Sequence, residues 1–186
     1  MISSNQKAYI AAQFSSTDTM VFIDTCSFLT DSFPDFVSVI VPLLSKNRRY
    51  LYIDRSVISE LKHICQQRNH PKAYHAFYAL SEIESMDRIG IIKYSGNAES
   101  CDFADEQFLE TFLQLRKTNT IRLITQDFDL ARDSVLLNGI RSSFGFQIES
   151  LKLTHYGGLK KYSFNENTDY KLGPSFIQMQ SLPIAN

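Results

Sequence analysis

Short apolar runs recur along this chain with helix-patterned segments between them, and that alternation restricts the fold more than any other feature. Strands are expected at residues 20–25 (MVFIDT), 50–54 (YLYID), 89–94 (IGIIKY), 121–125 (IRLIT) and 144–153 (FGFQIESLKL). Between them, helices are expected over 35–46, with Pro42 as a kink, and over 56–68, where Val57, Leu61, Ile64 and Cys65 share a face and Ser56 is a cap. Further helices are expected over 71–86, 103–117 and 129–138, the last stopped by Gly139. Strands that alternate with helices argue an α/β sheet of parallel order, since each crossover carries the chain back to the same edge.

At 186 residues the chain suits one domain with a real core. No apolar run is long enough to span a bilayer, and MISSNQKAYIAAQFSSTDTM lacks the basic and apolar regions of a signal peptide. The expectation is a soluble cytoplasmic protein. Cys26, Cys65 and Cys101 are odd in number and irregularly spaced, so they make neither a disulfide framework nor a zinc site. A formal net charge of −1 excludes a strongly basic nucleic-acid protein but not a local basic patch.

Acidic residues punctuate these elements. Asp24 follows the run VFI and Asp127 follows IRLIT, so both leave strands at their carboxyl ends. Glu60 lies early in the helix after YLYID, and Asp105 lies in the first turn after Asp102. In an open parallel sheet these positions share one edge, the edge where ligands bind. Singly, each has an ordinary explanation as a turn, cap or surface residue. Together they repel one another unless a cation compensates. Hard carboxylate oxygens suit Mg2+ or Mn2+, and paired ions of that kind activate water and steady the leaving oxygen of a phosphodiester. The four histidines show no metal-ligand spacing, and no phosphate-cradling glycine loop is present.

With VFIDTCSFL, SVISEL, ADEQFL and LITQDFDLA in this order and spacing, the chain resembles the PIN-domain nucleases over residues 20–150. The resemblance implies a Rossmann-like three-layer α/β/α fold around a central, mostly parallel sheet. The nuclease domain would then span residues 20–153, with an N-terminal arm over 1–19 and a C-terminal extension over 154–186. It also implies metal-dependent cleavage of RNA, single-stranded or looped, by an endoribonuclease similar to the VapC-type toxins, with an antitoxin protein and a homodimer as possible partners. Carried over by position, Asp24, Glu60, Asp105 and Asp127 would be the catalytic and metal-binding acids, supported by Thr125 and Asp129. Cys26 departs from the pattern, in which asparagine or serine is usual.

Other classes stay open: a PIN-like DNA nuclease, an RNA-processing nuclease, or a non-catalytic module that keeps the fold as a scaffold. A haloacid-dehalogenase arrangement would need an acid where Cys26 stands. The substrate's phosphates need local cations, and Lys62, Arg68 and Arg132 are the candidates nearest the acids in sequence.

Overall fold

The computed structural model describes residues 2–67, 69–96, 104–140 and 145–164, with the backbone alone for 104–107. The elements run α1 (Ser4–Gln13), β1 (Thr19–Ile23), α2 (Thr25–Phe28), α3 (Phe33–Asn47), β2 (Leu51–Asp54), α4 (Arg55–Gln66) and α5 (Ala73–Arg88). They continue as β3 (Ile92–Ser95), α6 (Ala104–Leu115), β4 (Thr120–Ile124), α7 (Phe128–Leu136), a 3-10 turn (Leu137–Gly139), β5 (Ile148–Leu153) and β6 (Leu159–Lys161). Among the described residues no helix is long and apolar enough to cross a membrane.

The sheet order is β3-β2-β1-β4-β5-β6. The first five strands are parallel, and β6 returns antiparallel to β5. This is a three-layer α/β fold with a mostly parallel central sheet, as the alternation of elements implies. The chain winds outward from β1 through β2 to β3, then crosses back to β4 and winds the other way. The reversal falls between β1 and β4, where Phe22 pairs with Leu123.

Burial explains why these segments are strands. Val21, Phe22 and Ile23 in β1, and Ile121, Leu123 and Ile124 in β4, are buried on both faces, as a central parallel strand requires. Phe22 packs on Phe112 of α6 at 5.0 Å between ring centroids and on Tyr52 of β2 at 5.3 Å. Burying such a ring contributes about 1.5–3 kcal/mol. In α4 the expected apolar face is present, with Val57, Leu61 and Ile64 buried and Cys65 partly so. That helix packs against α5.

Some local expectations are corrected. Asp54, not Ser56, caps α4. The helix begins one residue earlier than expected because the aspartate already offers its carboxylate to the Ser56 amide. Helix α3 runs through Pro42. Strand β6 was not expected. It is formed by a tight return in which Thr154 N donates to Gly158 O at 2.8 Å and Gly157 adopts φ +75°. The same return packs on α3, so a Cβ at Gly157 would stand 2.6 Å from Cβ of Asp35.

The two ends of the described chain meet. Ile10 and Phe14 of the N-terminal segment are buried in the core. Gln6 Oε1 of α1 accepts from Leu159 N at 3.2 Å. Arg122 of β4 donates to Gln13 O at 2.5 Å and to Glu149 Oε2 at 3.0 Å, and Lys161 of β6 reaches the other oxygen of Glu149. A partly buried ion cluster thus ties α1, β4, β5 and β6 together.

Candidate active site

Three strand-end aspartates sit in the same local setting. Each leaves the carboxyl end of a parallel strand and caps the next helix with one oxygen. Asp24 Oδ1 accepts from Thr25 N at 2.6 Å, Asp54 Oδ1 from Ser56 N at 3.0 Å, and Asp127 Oδ1 from Leu130 N at 3.0 Å. Capping fixes the carboxylates at the helix starts, where the helix dipole favours negative charge.

What each does with its second oxygen separates them. Asp54, 1% exposed, gives Oδ2 to Ser95 Oγ at 2.9 Å, and Ser56 Oγ adds a bond to Oδ1 at 2.8 Å. Gly96 lies so close that a Cβ there would approach Asp54 Oδ2 to 2.5 Å. These bonds hold β2, β3 and α4 together, one strand away from the β1–β4 reversal. Asp24, 8% exposed, accepts at Oδ2 from Thr125 Oγ1 at 3.0 Å and from the Cys26 thiol at 2.7 Å. Asp127 is exposed, and its Oδ2 accepts no hydrogen bond among the described residues.

Two threonines link the acids. Thr25 Oγ1 donates to Glu60 Oε2 at 2.7 Å, so the helix that carries Glu60 is drawn to the residue after Asp24. Thr125, fully buried, donates to Asp24 and accepts from Asp127 N at 3.0 Å. The sequence Glu60–Thr25–Asp24–Thr125–Asp127 therefore spans the carboxyl edge from α4 to α7, across the β1–β4 reversal. Hydrogen bonds thus connect Asp24, Glu60, Thr125 and the Asp127 amide along this edge. The side chain of Asp105 lies outside the described residues, although α6 starts at Ala104.

The supporting candidates divide. Asp129 is exposed and bridges Arg132 at 2.7 Å. Arg132 in turn bridges Asp133 at 2.8 Å, so its guanidinium is already engaged by two carboxylates. Lys62 is exposed on α4, and Arg68 lies outside the described residues.

Cys26 acts here as a small polar residue, bonded to Asp24 and to the Gln126 amide. Burial, then the adjoining Asp24 carboxylate, push its thiol up to about 12. It therefore stays protonated at neutral pH, donates to Asp24 and accepts from Gln126 N at 3.1 Å. A neutral thiol is neither a soft metal ligand nor a nucleophile.

Sequence reasoning passed over two residues here. Asp54 has the same run-then-aspartate signal as Asp24, LYID beside VFID. Tyr162 has no such signal. Its hydroxyl donates to Thr125 O at 3.2 Å, and burial, Cys26 and Asp127 push it up to about 12. Its ring stacks on Phe164 at 5.7 Å and meets Phe128 at 6.2 Å, which makes an aromatic wall beside Asp127.

The free donors are all hard oxygens, which fits a magnesium-class cation. Among the described residues no three of His, Cys, Asp and Glu already form a cage. Each threonine hydroxyl bonds one carboxylate, Thr25 that of Glu60 and Thr125 that of Asp24, and the link is completed through the backbone amides of Thr25 and Asp127.

No protein-family model matches the chain, and no curated protein does. Among solved structures it is similar to the one described as the structure of the PIN domain endonuclease Utp24. The two share 14% identity at a TM-score of 0.49, over 78% of this chain and 92% of that one. At that score the likeness decides neither family nor activity.

Proposed function

We propose that the protein is a divalent-metal-dependent endoribonuclease of PIN type. The observation that carries this reading is the hydrogen-bonded line of Glu60, Thr25, Asp24, Thr125 and Asp127 at the reversal of strand order. Ligands of open α/β sheets bind at that point.

In this reading Asp24, Glu60, Asp127 and Asp105 hold Mg2+ or Mn2+. Bound there, the ion supplies an activated water and neutralises charge developing on the phosphodiester. The chain's own residues do the rest. Thr125 and Cys26 fix the rotamer of Asp24 by donating to its Oδ2, and Thr25 holds Glu60. Asp127 keeps one oxygen free for the site while the other anchors α7.

The test is cleavage of an RNA panel by purified protein with magnesium or manganese, against EDTA. Cleavage that needs metal and disappears in Asp24→Asn and Asp127→Asn supports the reading, and equal cleavage in EDTA overturns it. A single-stranded DNA arm separates ribonuclease from deoxyribonuclease. A toxin role, with an antitoxin and a homodimer, adds a further expectation. Expression of the wild type would arrest growth and expression of Asp24→Asn would not.

A further inference from the structure

The turn after β4 carries Thr125 and Asp127, and hydrogen bonds hold it from several sides. Thr125 N donates to Leu151 O at 2.9 Å, which continues the ladder with β5 by one residue. Thr125 Oγ1 donates to Asp24 Oδ2 and accepts from Asp127 N, both at 3.0 Å. The peptide that joins Thr125 to Gln126 is held at both its polar atoms. Its N–H donates to the Cys26 sulfur at 3.1 Å. Its oxygen accepts from the Tyr162 hydroxyl at 3.2 Å. A trans peptide is planar, with oxygen and N–H on opposite sides. Fixing both fixes the tilt of the plane, and so the direction in which the chain leaves for Asp127.

Tyr162 comes from beyond residue 153, in the C-terminal extension. It follows β6, and its own amide donates to Ser150 O of β5 at 3.0 Å. Its half-buried side chain reaches past β5 to the end of β4. The ring has little freedom, with Phe164 at 5.7 Å, Phe128 at 6.2 Å and Lys152 Nζ at 5.2 Å from its centroid. Burial, then Cys26 and Asp127, push its hydroxyl up to about 12, so it remains a donor through the neutral range. The braced turn also faces open space. Gln126, at its middle, lines a groove of about 540 Å³ together with Cys26, Lys72 and His155.

We propose that Tyr162 is a positioning residue of the site: it holds the Thr125 carbonyl while Cys26 holds the Gln126 amide, and together they set the direction of the Asp127 carboxylate. The extension after residue 153 is then part of the working unit rather than an appendage to it. This deepens the nuclease reading and rests on it for what the Asp127 carboxylate does.

The test uses the full chain with Tyr162→Phe, which removes the hydroxyl and keeps the ring. The first readout is amide hydrogen exchange by NMR. The Asp127 amide exchanges about fivefold faster in the variant, the worth of one neutral hydrogen bond, while the Ser56 amide on the Asp54 cap keeps its rate. The second readout is Mn2+ affinity, which falls about fivefold. A brace of the β5–β6 return alone would lower the urea midpoint and leave that affinity untouched. If the Asp127 amide exchanges as in the wild type, the proposal is overturned even where the wild type cleaves RNA. Faster exchange with unchanged Mn2+ affinity also overturns it, since Tyr162 then holds the fold and not the site. If exchange is faster but the wild type neither binds Mn2+ nor cleaves RNA, the nuclease reading fails and the hold of Tyr162 on Asp127 stands.

Discussion

The Cys26 thiol donates to Asp24 Oδ2 at 2.7 Å, two residues along the chain from the carboxylate it serves. With the thiol pushed up to about 12, the proton stays in place through the neutral range. Cys26→Ser keeps a donor and is expected to retain fold and activity, whereas Cys26→Ala removes one of Asp24's two side-chain donors and lowers activity. Alkylation by iodoacetamide checks the protonation directly: the Cys26 rate is slow at neutral pH and climbs steeply only in strongly alkaline buffer.

Asp24→Asn tests more than catalysis. On charge alone, losing one of several clustered acids relieves repulsion. The hydrogen bonds oppose this. Asp24 accepts from Thr25 N, Cys26 and Thr125, and an amide NH2 must face one of those donors. The substitution is expected to cost about 1–3 kcal/mol in urea denaturation. A more stable Asp24→Asn protein would mean that repulsion outweighs these bonds.

Thr125→Val keeps the shape of a buried residue and removes its hydroxyl. Asp24 Oδ2 loses a donor and the Asp127 amide loses its acceptor. An expected loss of about 1–3 kcal/mol, with a fall in metal-dependent cleavage, is readable by thermal melts and turnover on one sample set.

Gly96→Ala should be costly far from any chemistry. Its φ of +73° disfavours a side chain, and the new Cβ would meet Asp54 Oδ2 at 2.5 Å. A destabilisation of about 1–3 kcal/mol is expected, with the urea midpoint as the readout.

Acid should loosen the ion cluster that joins α1, β4, β5 and β6. Burial raises Glu149, but Lys161 and Arg122 more than offset it, so its carboxyl lies below the ordinary glutamate range. A carboxylate depressed in the folded state contributes stability above its unfolded pKa and loses it as pH falls through the folded value. The Glu149 contribution is therefore full at neutral pH, starts to fall near about pH 4.3, the ordinary glutamate value, and is gone once pH is below the lowered folded value. Glu149→Gln should flatten that part of the stability–pH curve and cost about 1–2 kcal/mol at pH 7. An unchanged curve would remove the cluster from the account.

The parallel sheet and the placement of Asp24 and Asp127 were legible because an apolar run ending in an acid is a local signal. That signal does not say what an acid is used for. LYID reads like VFID, yet the bonds of Asp54 go to serines of α4 and β3, while those of Asp24 reach across the β1–β4 reversal to Thr125. Proximity in sequence also does not say whether a cation is already engaged. Arg132 sits one turn past Asp127, but Asp129 three residues before it and Asp133 beside it claim the guanidinium. Lys72 and His155 come to line one groove only through the packing of α5 and the placing of the β5–β6 return against α3, which no short window of sequence contains.

The strand order also sets a timetable for synthesis. Strand β1 needs β4 as a neighbour, and the Thr125 hydroxyl that braces Asp24 lies 101 residues further on. A ribosome has made Asp24, Glu60 and Asp54 long before it makes Thr125 and Asp127. Until then the first half of the chain can pair β1 with β2 and β2 with β3, but Asp24 stands on an unfinished edge. Contacts across such a span form late and slowly. If the chain is a nuclease, a partial chain that ends before β4 holds only part of its site, and cutting must wait until Thr125 and Asp127 have been made and paired.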